Sequence, residues 1–244
     1  MTSAVRPIDT FELNPGRVIA GKYVVETKLG GGWEGEVFKV TERLTGATRA
    51  AKFFFPHRNQ RDRAVTFYAR KLERLHNCPI VIQYHHSESI RYHNHPITCL
   101  ISEYVEGELL CDLVARQPGK RLHPFEALHL LYALVVGIEK IHDHKEYHGD
   151  LHSANVMVTR TGIFYDVKVV DFFHWGRSTP AHRRDDVADL IRLLYDAVGG
   201  RARYATQPPE IKAICRGLRR DLIDRAFPTM RRLREHLETF TWTR

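Results

Sequence analysis

The sequence lacks the features that would assign it at once to a secreted, a membrane-spanning or a zinc-ribbon class. It has only four cysteines among 244 residues, and no two of them stand in C-x-x-C spacing. We therefore expect reduced thiols rather than a disulfide framework. No apolar run is long enough for a secretory signal or a membrane span, so we expect a soluble, cytoplasmic protein without a membrane partner.

Acidic residues are fewer than basic ones, 29 against 37, and the net charge is +8. Arginines are concentrated in "CRGLRRDLIDR" and "MRRLREH". Such a run is more often a solvated helix face than a nucleic-acid site. Neither zinc-finger spacing nor an RNA-binding aromatic signature accompanies the charge. Nucleic-acid binding therefore stays a minor alternative, which salt-sensitive binding independent of ATP would support.

Fifteen histidines raise the question of a metal site, above all His144, His148 and His152, which are four residues apart. Gly149 interrupts any helix that would bring them together, and no ordered set of cysteines or carboxylates completes the ligands. We therefore predict no histidine metal site.

The chain is predicted to have an N-terminal arm and two lobes. Residues 1–17 are predicted to be extended or loosely ordered. Residues 18–103 alternate strand-like stretches with glycine-containing turns, and they contain one helical run, "RDRAVTFYARKLERLH". That run places four large side chains on one face: Val65, Tyr68, Leu72 and Leu75. Residues 104–244 are predicted to be mainly helical, with short strands at "NVMVT" and "DVKVVDFF".

A glycine-rich stretch, "LGGGWEGEV", lies between two predicted strands. Its glycines fit G-x-G-x-x-G, which on its own is a weak signal and also describes an ordinary hairpin. The flanking strands exclude the strand-to-helix setting of a dinucleotide fold. A hairpin tip without side chains could place backbone N–H groups over phosphate oxygens.

Lys52 stands in an otherwise apolar predicted strand, "AAKFFF". Such a lysine is usually an edge residue that points at water. An inward-facing lysine needs an anionic partner, because desolvation of its charge is costly. Glu73 in the following helix is the natural partner from the sequence, and Glu88 is an alternative.

Three further polar residues lie at the ends of short predicted elements. Asp150 and Asn155 are five residues apart between a long helix and a strand, and Asp171 ends the next strand. Such a set offers a carboxylate to orient a hydroxyl nucleophile, with an amide and a second carboxylate to hold Mg²⁺.

In this order, the glycine loop, "AAK", "HGDLHSAN" and "DFF" resemble the motifs of the protein kinase family, over about residues 18–240. The resemblance implies an α+β, bilobal protein-kinase-like fold with a small antiparallel β-sheet lobe and a mainly α-helical lobe. It implies that Lys52 holds the phosphates of ATP and that Glu73 positions Lys52. It also implies that Asp150 is the catalytic base and that Asn155 and Asp171 bind Mg²⁺.

The same resemblance implies a hinge at "ISEYVEGE", where backbone groups would contact adenine and Ser102 would lie behind it. The nucleotide-binding residues that it implies, besides Lys52, are Gly30, Gly32, Gly35, Val37, Glu103 and Val105. Asp186 is implied to support the catalytic loop from below.

Departures from the family pattern indicate a minimal kinase that lacks a full activation segment. Only fifteen steps separate Asp171 from Asp186, and no A-P-E triplet is present. Because no glutamate occurs between Glu146 and Glu210, Arg225 lacks its usual partner. Gly149 replaces the arginine that usually receives an activation-loop phosphate.

Two further departures concern individual side chains. His152 replaces a lysine that is usual in Ser/Thr kinases, and Phe173 replaces the glycine of D-F-G. The "HGDLH" stretch also resembles small-molecule kinases.

The sequence therefore predicts an ATP- and Mg²⁺-dependent phosphotransferase, a Ser/Thr protein kinase with a protein substrate. The alternatives are a small-molecule kinase and a pseudokinase that serves as a nucleotide-binding scaffold. The sequence does not identify the acceptor or the oligomeric state.

Overall fold

The structure is a computed structural model that describes residues 8–162, 164–172 and 176–241. The chain divides into two compact units. Unit 1 consists of residues up to His76 together with Ile82–Val105, and unit 2 consists of Asn77–Val81 together with Glu106 onward. A short piece of unit 2 thus interrupts unit 1, which a linear division of the sequence does not anticipate. The predicted division after residue 103 stays a prediction.

Unit 1 is built on a six-stranded antiparallel sheet in the order β1-β2-β3-β4-β6-β5. Its elements are β1 (Val18–Ile19), β2 (Tyr23–Gly31), β3 (Gly35–Glu42), β4 (Thr48–Phe54), α1 (Arg63–Arg74), β5 (Tyr84–Tyr92) and β6 (His95–Glu103). The fold class predicted for this part, a small antiparallel sheet with one main helix, is confirmed. The predicted apolar face of α1 is buried.

The two faces of this sheet carry different residues. In the pairing of β3 with β4, Val37 lies opposite Lys52 and Glu36 lies opposite Phe53. Successive residues of a strand point to opposite faces, so Val37 and Lys52 share one face while Glu36 and Phe53 share the other. The face of Phe53 is the apolar core of unit 1, and it also contains Phe11.

Residues 8–17 of the N-terminal arm form no helix or strand, yet two of their side chains pack into unit 1. Phe11 and Leu13 are 4% and 5% exposed. The ring of Phe11 lies 5.4 Å from that of Phe55 and 5.3 Å from that of Tyr92, between centroids. The arm packs because the apolar face of a sheet must be covered, and the alternating apolar residues of the arm cover it.

Unit 2 contains a three-stranded sheet, in the order β7-β8-β9, and a set of helices. Its elements are β7 (Glu108–Leu109), α2 (Leu110–Ala115), α3 (Pro124–Asp143), β8 (Val156–Thr161), β9 (Phe164–Val169), α4 (Pro180–Ala197), α5 (Gly200–Arg203), α6 (Pro209–Cys215), α7 (Arg220–Ala226) and α8 (Met230–Thr239). Pro124 occupies the first turn of α3, as predicted.

The stretch "PPEIKAICRGLRRDL" contributes to two helices, α6 and α7, rather than to one continuous helix. The break occurs where Arg216, Gly217 and Leu218 adopt φ values of 48°, 64° and 58°. A right-handed helix cannot continue through residues in the left-handed region.

A close approach within unit 2 fixes the end of β9. A Cβ atom on Gly137 of α3 would lie 2.3 Å from Cδ1 of Ile80, so only glycine permits this packing. The carbonyl of Ile80 in turn accepts the N–H of Val169 at 2.8 Å. The segment 77–81 therefore ties α3 to the last residue of β9, close in sequence to Asp171.

The arginine-rich stretch of α8 is paired with carboxylates. Arg231 and Arg234 both donate to Glu139 of α3, at 3.2 and 2.5 Å, and Arg232 donates to Glu235 at 3.0 Å. Much of the positive charge in this stretch is thus neutralised within unit 2. In the described residues, no helix is both long enough and apolar enough to cross a membrane.

Candidate active site

The glycine-rich stretch forms the hairpin between β2 and β3 of unit 1. The N–H of Gly32 donates to the carbonyl of Gly35 at 2.9 Å, and the N–H of Phe55 donates to the carbonyl of Glu34 at 2.9 Å. Trp33 at the tip is 63% exposed, and the Arg58 guanidinium lies 4.2 Å from its ring centroid. The hairpin tip is therefore supported by the segment that follows β4.

The three motif glycines differ in whether the surrounding structure has room for a side chain. A Cβ atom on Gly35 would lie 1.9 Å from the carbonyl oxygen of Phe53, whereas one on Gly30 or Gly32 would meet no atom within 4 Å. Neither Gly30 nor Gly32 has a φ in the left-handed region. The chain itself thus requires glycine at position 35 alone. At the other two positions, the absence of a side chain would allow a ligand to approach the backbone.

Lys52 points to the face of the sheet that carries α1. Its Nζ lies 4.7 Å from the ring centroid of Tyr68 in α1 and 3.7 Å from Oε2 of Glu34 in the hairpin. The Lys52 side chain is only 13% exposed. This buried ammonium group is therefore stabilised by an aromatic face and by a carboxylate.

Glu73 is not brought to Lys52, which differs from the predicted pair. It lies on the exposed side of α1, whereas Tyr68 and Leu72 are each 1% exposed. Five residues along a helix correspond to about 140° of rotation, so Glu73 cannot share the face of Tyr68. The alternative, Glu88, is bound to Lys22 at 2.5 Å. Tyr68 and Glu34 are the neighbours of Lys52 that the sequence reasoning missed.

The predicted hinge lies at the end of β6. The Glu103 N–H donates to the carbonyl of Gln83 at 2.8 Å, and the Glu103 carboxylate accepts the N–H of Gln83 at 3.0 Å. Ser102, 4% exposed, pairs with Ala50 across the sheet. The N–H of Glu103 is therefore bonded within unit 1. Val105 is the last residue of unit 1.

In unit 2, Asp150 and Asn155 are joined directly. Nδ2 of Asn155 donates to the carbonyl of Asp150 at 2.9 Å and to its Oδ2 at 3.1 Å. Asn155 is 6% exposed, whereas the side chain of Asp150 is 57% exposed. A buried amide thus fixes an open carboxylate, and its own Oδ1 remains as an acceptor.

His152 lies beside this pair. Its Nε2 is 3.0 Å from Nδ2 of Asn155 and 3.6 Å from Oδ2 of Asp150. Its ring is half exposed. The residue that replaces the usual lysine therefore stays within reach of the catalytic loop carboxylate.

His148 holds the backbone of the loop from inside and is fully buried. Its Nδ1 accepts the N–H of Asp150 at 3.2 Å, and its Nε2 lies 3.0 Å from the carbonyl of Val170. This network assigns the proton of the neutral ring to Nε2. The ring also contacts that of Phe172, 4.4 Å between centroids. His148 therefore links the loop of Asp150 to the segment of Asp171.

Asp186 of α4 supports the same loop, which confirms the expectation for it. Its carboxylate accepts the N–H groups of His148 and Gly149, each at 2.8 Å. His142 Nε2 lies 2.9 Å from the same carboxylate. A fully buried carboxylate needs such donors, and here they also orient the loop.

The carboxylates near Asp186 make the stability of unit 2 depend on pH. Burial and then the negative charge of Asp186 raise the pKa of Asp189 from 3.8 to about 6. The folded state therefore binds more protons than the unfolded state between these values, and stability falls as pH rises through this range. We expect Asp189→Asn to raise the melting temperature at pH 7–8, with a smaller gain at pH 4. Melting curves of both proteins across pH 4–8 measure this, and an equal gain at every pH would contradict it.

Asp171 lies at the open end of the β8–β9 hairpin, next to Asn155. The N–H of Val170 donates to the carbonyl of Asn155 at 3.0 Å, and Asp171 is the next residue. Asp171 is exposed and has a φ of 54°, which is uncommon for a non-glycine residue. An amide oxygen and a carboxylate are ligands that suit Mg²⁺ together with phosphate oxygens. This donor set therefore fits the implied metal. Phe173, the expected departure from D-F-G, lies outside the described residues.

Histidine metal sites are not found in the part of the chain that the structure describes. No group of three or more His, Cys, Asp or Glu side chains there could hold a metal ion. His144 bonds to a carbonyl of α3, and Gly149 has a φ of 84°, which breaks any helix. The stretch between Asp171 and α4 is short, as expected for a kinase without a full activation segment, because α4 begins at Pro180.

Residues 23–195 match the family described as "Protein kinase domain". The chain belongs to this family. The predictions of a protein-kinase-like fold and of a protein kinase enzyme are thereby confirmed at the level of the family.

Curated relatives of this kinase come from organisms that are distant from each other. A probable serine/threonine-protein kinase PknB of Corynebacterium glutamicum is 29% identical over 228 residues, which cover 79% of this chain and 33% of the relative. Cyclin-dependent kinase 14 of Callithrix jacchus is 28% identical over 195 residues, covering 77% of this chain and 43% of the relative. The kinase thus spans about a third to two fifths of the length of these relatives.

A solved structure shows the same fold at lower identity. A double mutant of the PknI kinase domain of Mycobacterium tuberculosis matches with a TM-score of 0.63 and 20% identity. The match covers 93% of this kinase and 97% of that chain. This structural match supports the α+β kinase fold and does not bear on the substrates.

Proposed function

We propose that this kinase transfers the γ-phosphate of Mg·ATP to a Ser or Thr hydroxyl of a protein. The observation that carries the proposal is the loop in which Asn155 holds the exposed carboxylate of Asp150. The buried Asp186 carboxylate and His148 Nδ1 accept backbone N–H groups of this loop and fix it from behind. Such rigid support of an open carboxylate is what a group that orients a nucleophile requires.

Within the proposal, Asp150 accepts a hydrogen bond from the acceptor hydroxyl and receives its proton as the phosphate transfers. Asn155 Oδ1 and the Asp171 carboxylate are the residues that would hold Mg²⁺. When bound, the metal neutralises charge on the phosphate oxygens. His152 supplies a further donor to the transferring phosphate when its ring is protonated. These roles remain proposals for the four residues.

The residues of unit 1 supply nucleotide binding in the same proposal. The ammonium group of Lys52 binds the α- and β-phosphates, and the N–H groups of the hairpin approach phosphate through the bare positions Gly30 and Gly32. Val37, on the face of Lys52, contacts the base, and the backbone of Glu103 and Val105 binds its edge. Lys52 thus exchanges the Glu34 carboxylate for phosphate when ATP binds.

Two other functions were open from the sequence. A small-molecule kinase would use the same loop on a different acceptor, and a pseudokinase would bind nucleotide without transfer. The relative from Corynebacterium glutamicum is named as a probable serine/threonine-protein kinase, which favours a protein acceptor. The supported geometry of Asp150 favours turnover, since a scaffold has no need of an oriented carboxylate.

The proposal is tested by transfer of labelled γ-phosphate from Mg·ATP to a generic basic protein, with Asp150→Ala in parallel. Label on serine or threonine that is absent with the variant supports it. Label on a small molecule alone points to the second function. ATP binding without any transfer points to the scaffold.

Alanine at the motif glycines separates folding from ligand binding. We expect Gly32→Ala to leave the melting temperature unchanged and to weaken ATP binding about tenfold, because its Cβ meets only space that the ligand would use. Gly35→Ala should instead lower the melting temperature, because its Cβ would clash with the backbone of Phe53. Melting curves and ATP titration measure both effects. Equal losses of stability in the two variants would contradict the distinction.

A further inference from the structure

We propose that Glu36 is a positioning residue. Through it, residues 9–13 of the N-terminal arm set the position of the glycine-rich hairpin between β2 and β3. The inference rests on the proposed binding of ATP by that hairpin. It concerns Glu36, which lies within the glycine-rich motif but points to the face of the sheet opposite to Val37 and Lys52.

Glu36 connects the hairpin to the arm directly. It is the second residue of β3 and pairs with Gly31 at the root of the hairpin. A Cβ atom on Gly31 would lie 3.1 Å from Cγ of Glu36, so the side chain lies against the hairpin backbone. Glu36 is only 5% exposed. A displacement of its side chain therefore displaces the backbone next to it.

The carboxylate of Glu36 has three donors, and two of them belong to the arm. Oε2 accepts the N–H of Phe11 at 3.0 Å, and Oε1 accepts the Thr10 hydroxyl at 3.1 Å. The third donor is Nζ of Lys28 in β2, at 2.6 Å. A buried carboxylate is costly without donors, so the position of Glu36 depends on the arm.

The arm is itself fixed to strands away from the hairpin. The ring of Phe11 contacts that of Phe53 in β4, 5.7 Å between centroids, and the N–H of Glu12 donates to the hydroxyl of Tyr92 in β5 at 2.9 Å. The arm therefore bridges from β5, across the apolar face, to Glu36. Without the arm, the Glu36 carboxylate keeps only Lys28 as a donor. It is then more stable when it turns toward water, which supplies the missing donors.

The consequence is specific to nucleotide binding. The hairpin would sample more positions without its support, and fewer of them would bind phosphate. The loop of Asp150 belongs to unit 2, whereas Glu36 belongs to unit 1. Loosening the hairpin should therefore raise KM for ATP and leave kcat at saturating ATP nearly unchanged.

The variants Thr10→Val and Glu36→Gln test this link. Thr10→Val removes one hydrogen bond with little change of shape, and Glu36→Gln removes the charge that the arm N–H and Lys28 satisfy. The matched control is Thr45→Val, which removes a threonine–glutamate bond to Glu42 at the other end of β3. We expect KM for ATP to rise about twofold to fivefold in Thr10→Val and more in Glu36→Gln. The control should keep the KM of the unaltered kinase.

A second readout does not require ATP. Amide hydrogen exchange of residues 30–35 should be faster in Thr10→Val and Glu36→Gln than in the control, at a temperature where all are folded. Combined in one chain, the two substitutions should cost less than the sum of their separate effects, because they remove the same contact. Unchanged exchange and unchanged KM in both variants would overturn the inference. Faster exchange in a protein that binds no ATP would instead overturn the proposed function alone.

Discussion

Asp150→Ala is expected to lower the rate of phosphate transfer by about 10²–10⁴-fold, the range that a positioned general base contributes. The affinity for ATP should stay the same. Asp150 is more than half exposed, and its carboxylate touches only Asn155 and His152 among the contacts described. Truncation therefore opens no cavity in the core. Asn155 keeps its bond to the backbone carbonyl of residue 150, which alanine also has.

The control for this substitution is Asp166→Ala. Asp166 is an exposed carboxylate on β9 of the same unit, and its removal changes the net charge by the same amount. Single-turnover transfer and ATP titration on both variants separate chemistry from binding. If Asp150→Ala loses ATP binding instead of transfer, its assignment as the base is wrong. If the control loses transfer equally, the effect is one of net charge.

The contacts within the loop of Asp150 were predictable in part because its polar residues lie only a few positions apart. Asp150 and Asn155 are five positions apart, and Asp171 lies two residues after β9, the strand that pairs with the strand after Asn155. Local sequence and one antiparallel pairing therefore place all three. What the sequence did not show is the role of His148, whose two ring nitrogens join this loop to Val170. The sequence does not show which backbone group each ring nitrogen of such a histidine binds.

The partner of Lys52 was not predictable from charge alone. The sequence predicts Glu73 as the partner because it is the acidic residue of α1, although the same helix has a predicted buried face that includes Tyr68 and Leu72. Those two assignments exclude each other, since Glu73 stands about 100° from Leu72 around the axis. Helical periodicity should have outweighed charge. The approach of Glu34 depends on the hairpin conformation, which periodicity does not describe.

Long-range packing explains the remaining differences. The sequence predicts an extended or loosely ordered arm over residues 1–17, and nothing in it indicates that Phe11 packs in an aromatic cluster with residues more than 40 positions away. Likewise, Asn77–Val81 joins unit 2 because Gly137 leaves space for Ile80. Both contacts join distant parts of the chain, and no local pattern encodes them.

Lys52→Met is expected to reduce phosphate transfer at least about 100-fold, the loss that follows removal of one preorganised donor to a charged transition state. The fold should remain intact. Methionine has nearly the length of lysine, and a thioether packs well against an aromatic ring, here Tyr68 at 4.7 Å from the present ammonium group. The substitution also releases Glu34 from its cation, and Glu34 can turn toward water.

The control is Lys22→Met, which removes a lysine of the turn between β1 and β2 that is bound to Glu88. Transfer, ATP affinity and melting temperature are measured for both variants. A loss of transfer in Lys52→Met with an unchanged melting temperature assigns Lys52 to the phosphates. If transfer persists, the ammonium group does not bind them, and its place beside Tyr68 and Glu34 serves the fold of unit 1. A large fall in melting temperature for Lys52→Met alone would lead to the same conclusion, because the charge would then stabilise the hairpin rather than the nucleotide.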